Sequence, residues 1–76
     1  NFSYVIKIAD FFYKDAANLM VNRIINETVI RKPKIKKINK EKYRVYLGPF
    51  DNINSLQKSY NDIRILEFDN IEFIKK

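Results

Sequence analysis

Runs of alternating apolar and polar residues stand at the start, the middle and the end of the chain, and two stretches of helical period lie between them. Residues 4–9 are rich in β-branched side chains and predict a first strand, with Tyr4, Ile6 and Ile8 on one face and Val5, Lys7 and Ala9 on the other. From residue 14 to about residue 25 the period changes. Ala17, Met20, Val21 and Ile24 then fall on one stripe, which predicts an amphipathic helix lying on a sheet. Asp15 in its first turn suits the helix dipole.

Residues 29–38 read as a second strand, irregular and basic. Pro33 cannot donate to a ladder, and exposed lysines discourage pairing with other chains, so this strand belongs at an edge. Residues 39–41 make a short turn into a third strand at 42–48, where Tyr43, Val45 and Leu47 face away from Lys42, Arg44 and Tyr46. Gly48, Pro49 and Phe50 end that strand, and Asp51 or Asn52 caps a second helix. Its buried stripe is Ile53, Leu56, Tyr60 and Ile63, running to about residue 64, and residues 72–75 form a last short strand. Tyr4, Tyr43, Phe50 and Phe68 are expected in or against the core.

The predicted order is β-α-β-β-α-β, an α+β chain. Right-handed crossovers close it into one four-stranded antiparallel sheet, spatial order 4-1-3-2, with both helices on one face, the RNP/ferredoxin-like arrangement. The other face is left to solvent, and its central strands display Val5, Lys7, Arg44 and Tyr46. Function is expected there.

Composition then restricts the chemistry. With 76 residues, 46% of them hydrophobic and 14% aromatic, the chain has material for one small core and is too apolar for a disordered tail. There is no cysteine and no histidine, so thiolate nucleophiles, disulfides, cysteine-ligated zinc and the commonest general base are all absent. No carboxylate pair has a spacing that suggests acid/base work, and a single glycine excludes glycine-rich phosphate loops. A non-catalytic domain with no metal and no cofactor is expected. No apolar run approaches the ~20 residues of a membrane span, so no direct membrane insertion is expected. The chain begins at Asn1 without an initiator Met and reads as a domain excised from a longer protein.

The net charge of +6 is unevenly placed. Residues 31–44 contain eight basic side chains against one acidic, a local +7, whereas the rest holds seven basic against eight acidic, or −1. A local basic patch suggests an acidic ligand or a solvated edge. Lys32, Lys34, Lys36 and Lys37 fit edge protection, and Lys7 and Arg44 fit a ligand face.

The segment Tyr43-Arg44-Val45-Tyr46-Leu47-Gly48-Pro49-Phe50 resembles the third strand of the SPOR (sporulation-related repeat) family, which runs Tyr-Arg-Val, two variable residues, then Gly-Pro-Phe. The opening residues 4–11 look like that family's first strand and turn, and Ala17 sits where its first helix keeps a small residue. Lys7 and Asp10 depart from the pattern, standing where the family favours Gln and a small or hydroxyl residue. Lys42 stands where some members present an aromatic. The resemblance implies binding to glycan strands of peptidoglycan stripped of their stem peptides, at the division septum in the bacterial periplasm, by a module of a cell-envelope protein, and a monomer is expected. Lys7, Asp10, Lys42, Arg44, Tyr46 and Phe73 are the candidate glycan-binding residues. Removing a stem peptide frees a lactyl carboxylate, which Lys7, Lys42 and Arg44 can meet, Arg44 with a two-pronged contact. Tyr46 can pack on the apolar face of a sugar. Two other readings use the same face, single-stranded RNA binding by an RRM-like domain and protein docking. The first needs stacking aromatics on both central strands, which Val5 and Lys7 do not supply, so no nucleic acid is expected.

Overall fold

The computed structural model describes residues 1–76 and folds as β1 (Tyr4–Phe11), α1 (Lys14–Glu27), β2 (Lys34–Asn39), β3 (Lys42–Phe50), α2 (Ile53–Ile63), one 3-10 turn (Arg64–Leu66) and β4 (Glu72–Lys75). The strands form one antiparallel sheet in the order β2-β3-β1-β4, which is the expected order read from the opposite edge. The core joins Ile6, Ile8, Val45 and Leu47 of the central strands to Ala17 and Ile24 of α1 and Leu56 and Ile63 of α2. Both helices therefore cover the same face. Met20, Val21, Tyr4, Tyr43, Phe50, Tyr60 and Phe68 close over this nucleus as half-buried neighbours. Ile53 stands at the rim and is exposed.

Three local features differ from simple alternation. In β1, Lys7 opposes Tyr46 and Ala9 opposes Val45, so Ile8 is an extra residue, a β-bulge. Ile8 and Ala9 both turn toward the helices, and Ala9 leaves the outer face on which alternation puts it. In β3, ladder pairing runs on through Gly48 and Pro49 to Phe50, which opposes Tyr4, so the strand does not stop at Gly48. A second irregularity between Tyr4 and Ile6 absorbs the additional residue. Gly48 has φ +101, and a Cβ there would meet the Phe50 ring at 2.9 Å, so this position requires glycine.

The third difference is the late start of β2. Residues 28–33 do not pair: polar groups of residues 28–31 terminate α1, and Pro33 has no amide to donate. Thr28 Oγ1 donates to the Ile24 carbonyl (2.7 Å) and accepts from the Ile30 amide (3.0 Å). The Arg31 guanidinium reaches back to donate to the carbonyls of Ile25 (2.7 Å), Thr28 and Val29. No basic residue stands in the last turn of α1, so Arg31 supplies the positive charge that this helix end favours. Strand propensity in Val29 and Ile30 is overridden by these capping bonds. At the other helix, the cap is Asn52, whose side chain accepts from the Ser55 amide at 2.9 Å.

Arg31→Ala is expected to destabilise the domain by about 1 kcal/mol through loss of this cap, whereas Lys32→Ala next to it should change stability by less than about 0.5 kcal/mol. Urea unfolding of the two variants measures the difference.

Candidate ligand face

The ladder registers arrange the uncovered face in cross-strand rows. One row runs Lys36 (β2), Arg44 (β3), Asp10 (β1). The next runs Lys34 (β2), Tyr46 (β3), Lys7 (β1), Glu72 (β4), and beyond it Val5 (β1) opposes Ile74 (β4). Asp10 joins this face only because of the bulge. Without the extra residue, alternation would turn it with Tyr4, Ile6 and Ile8 toward the helices.

Re-aimed in this way, Asp10 makes a bidentate ion pair with Arg44, Nε to Oδ1 at 2.9 Å and Nη2 to Oδ2 at 3.1 Å. Lys7 Nζ lies 3.5 Å from Asp10 Oδ2 and donates to Glu72 Oε1 at 3.2 Å. The Lys7, Asp10 and Arg44 side chains are each only about a fifth exposed, so this network is less screened than an ordinary surface pair. The hydrogen bond from Arg44 holds the Asp10 carboxyl below its ordinary value near 3.8, against the desolvation that would raise it, and the Arg44 and Lys7 charges add to the effect. The same bond raises the Arg44 guanidinium further, with the Asp10 and Glu72 charges assisting.

The candidate residues therefore divide. Lys7, Asp10, Lys42, Arg44 and Tyr46 lie on the uncovered face. The two-pronged contact expected of Arg44 toward a ligand is made instead to Asp10, and Lys7 is committed to Asp10 and Glu72. Lys42 lies on the same strand face two residues from Arg44 and forms no ion pair. Phe73 is a correction. It opposes Ile6, whose side chain is in the core, so it projects on the helix side and packs edge-on against Tyr60, ring centroids 5.4 Å apart. Strand parity separates it from the other five.

Next to the ion-pair network the face dips into a hollow of about 180 Å³. Val5, Ile38, Tyr46 and Ile74 give it an apolar lining, and Lys36, Arg44, Lys75 and Lys76 line it with charge. Ile38 reaches the hollow by simple alternation, on the same strand face as Lys34 and Lys36. Tyr46 is the one aromatic ring among the paired residues of this face. Sequence reasoning missed Ile38, Ile74 and Glu72. The alternation of Glu72 and Ile74 was a usable signal, but it places them on a face only once the pairing with β1 is known. An apolar floor with a cationic rim suits a ligand that presents a flat C–H surface and an acid group together.

No protein-family model, curated protein or solved structure matches this chain.

Asp10→Asn is expected to destabilise the domain by about 1–2 kcal/mol at pH 7, since it leaves a partly buried guanidinium without its anion. The Asp10 carboxyl is lowered in the folded state, so its contribution is complete above the unfolded value and is lost as pH falls through the folded one. The gap between wild type and variant should hold constant above about pH 5 and close below about pH 4. Chemical unfolding of both proteins across that range measures it.

Proposed function

We propose that this domain binds peptidoglycan glycan strands stripped of their stem peptides, without catalysing a reaction, and that the uncovered sheet face receives them. The observation that carries the proposal is the hollow floored by Val5, Ile38, Tyr46 and Ile74 and rimmed by cations. A stripped strand is a chain of sugar rings, each with an apolar C–H face, on which muramic acid lactyl carboxylates recur. Tyr46 and the aliphatic floor match the rings, and the neighbouring lysines match the carboxylates. An intact stem peptide converts each lactyl carboxylate to an amide, which removes the charge that the rim complements.

The resemblance of residues 43–50 to the SPOR family supports the same reading and implies the bacterial periplasm, at the division septum, as its setting. Single-stranded RNA is a weaker match, because one tyrosine on one central strand gives no platform for successive bases.

The test is co-sedimentation with whole sacculi before and after amidase treatment. Wild-type binding should rise on removal of the peptides. Tyr46→Ala should weaken binding to stripped sacculi by roughly threefold to tenfold, and Leu19→Ala, an exposed change on α1, should leave it unchanged. Equal binding to both preparations would refute the reading.

A further inference from the structure

The ladders contain one directly opposed pair of like charges, Lys36 with Arg44. Every other charged residue with a ladder partner in this sheet faces an opposite charge or an uncharged residue: Lys7 faces Glu72 and Tyr46, Asp10 faces Arg44, Lys34 faces Tyr46, Lys37 faces Tyr43, Lys42 faces Asn39 and Lys75 faces Tyr4. Like charges directly across a ladder destabilise it. Asp10 compensates Arg44 from the other side, which leaves Lys36 as the uncompensated member. Lys34, one position along the same strand face, has no counterion either. All three ion pairs of this face lie on its β1, β3 and β4 side, so its acids stand away from β2.

Protection of an edge does not demand this placement. Lys32, Lys37 and Lys40 also guard β2, and Lys37 opposes Tyr43 on the helix side, with its ammonium 5.9 Å from that ring. A lysine set against Arg44 and on the rim of the hollow costs stability when nothing is bound, and an anion seated between the two relieves that cost. Arg44 has its Nε and Nη2 edge filled by Asp10, so its Nη1 group is the one left to point at a ligand.

We infer that the acid groups of the ligand are bound along β2 and β3, by Lys36 and Lys34 with the free side of Arg44, and not at Lys7 on β1. The inference rests on the glycan reading above and assigns the charge-recognising residues within that site. Lys36 and Lys34 touch the ligand carboxylates. Asp10 is a positioning residue that fixes the Arg44 fork, and Lys7 is an internal counterion. Same-face neighbours on a strand are about 7 Å apart, so Lys36 on the rim of the hollow and Lys34 beyond it form a short cationic rail along β2.

The experiment compares wild type with the double variant Lys34→Gln/Lys36→Gln, the single variant Lys7→Gln, and the control Lys14→Gln/Lys58→Gln, which removes the same charge from the helices. Affinity for amidase-stripped sacculi and thermal unfolding are measured for each. The β2 double variant should bind about tenfold more weakly, with an unfolding temperature equal to or above wild type. Lys7→Gln and the helix control should each retain binding within about twofold when compared at equal folded fraction. Chemical amidation of the carboxylates on stripped sacculi should lower wild-type binding to the level of the β2 variant. Undiminished binding by the β2 variant, with wild type still preferring stripped sacculi, would overturn this inference and leave the glycan reading standing. A helix control that loses as much as the β2 variant would overturn it too, by showing that only net charge matters. If wild type itself shows no preference, the reading beneath the inference fails and both fall.

Discussion

One inserted residue decides what the uncovered face of this domain can do. The bulge at Ile8 and Ala9 changes strand parity partway along β1, and Asp10 consequently meets Arg44 on the outer surface. A charged pair held in two-pronged geometry at the centre of a sheet fixes both side chains and anchors Lys7 and Glu72 beside it. The same parity change turns Ala9 inward, where it packs against the core. A single backbone irregularity thus serves the packing on one face and the electrostatics on the other.

The consequence is an asymmetric surface. Acidic side chains are concentrated where β1 and β4 meet, and they neutralise the central cations. The cations of β2 have no such partners, and the apolar hollow lies between the two regions. A polar network that is satisfied within the protein gives rigidity and takes little part in attraction. Attraction is left to the unpaired lysines and to the floor formed by Val5, Ile38, Tyr46 and Ile74. This separates two roles that the sequence alone presents as one basic patch. It also explains how a small core, with eight clustered buried residues, supports a charged sheet face: the charges at its centre are paired across the ladders.

Much of the fold is legible in the sequence, because each element combines a clear period with a local stop. The stripe of Ala17, Met20, Val21 and Ile24 defines α1, and the topology follows from the order of elements and the handedness of crossovers. The misplaced details have one kind of cause. Thr28, Val29 and Ile30 have strand-forming side chains, yet polar groups of residues 28–31 are consumed in capping α1. The continuation of β3 through Gly48 and Pro49 and the bulge in β1 both depend on pairing partners distant in sequence, which alternation within one strand does not encode. For the site, Lys7, Asp10, Lys42, Arg44 and Tyr46 could be named from the residues and the family resemblance. That Arg44 answers Asp10, and that Phe73 turns to Tyr60, depends on register.

The central claim is that ligand meets the uncovered sheet face beside the hollow. Amide chemical-shift mapping during titration with soluble, peptide-free glycan fragments tests it most directly. The account predicts shifts concentrated at Val5, Lys36, Ile38, Arg44, Tyr46 and Ile74, with the amides of Leu19, Ile53 and Ile65 on the helix side unmoved. Shifts centred instead on the α2 and β4 groove around Ile53, Tyr60 and Phe73 would contradict it.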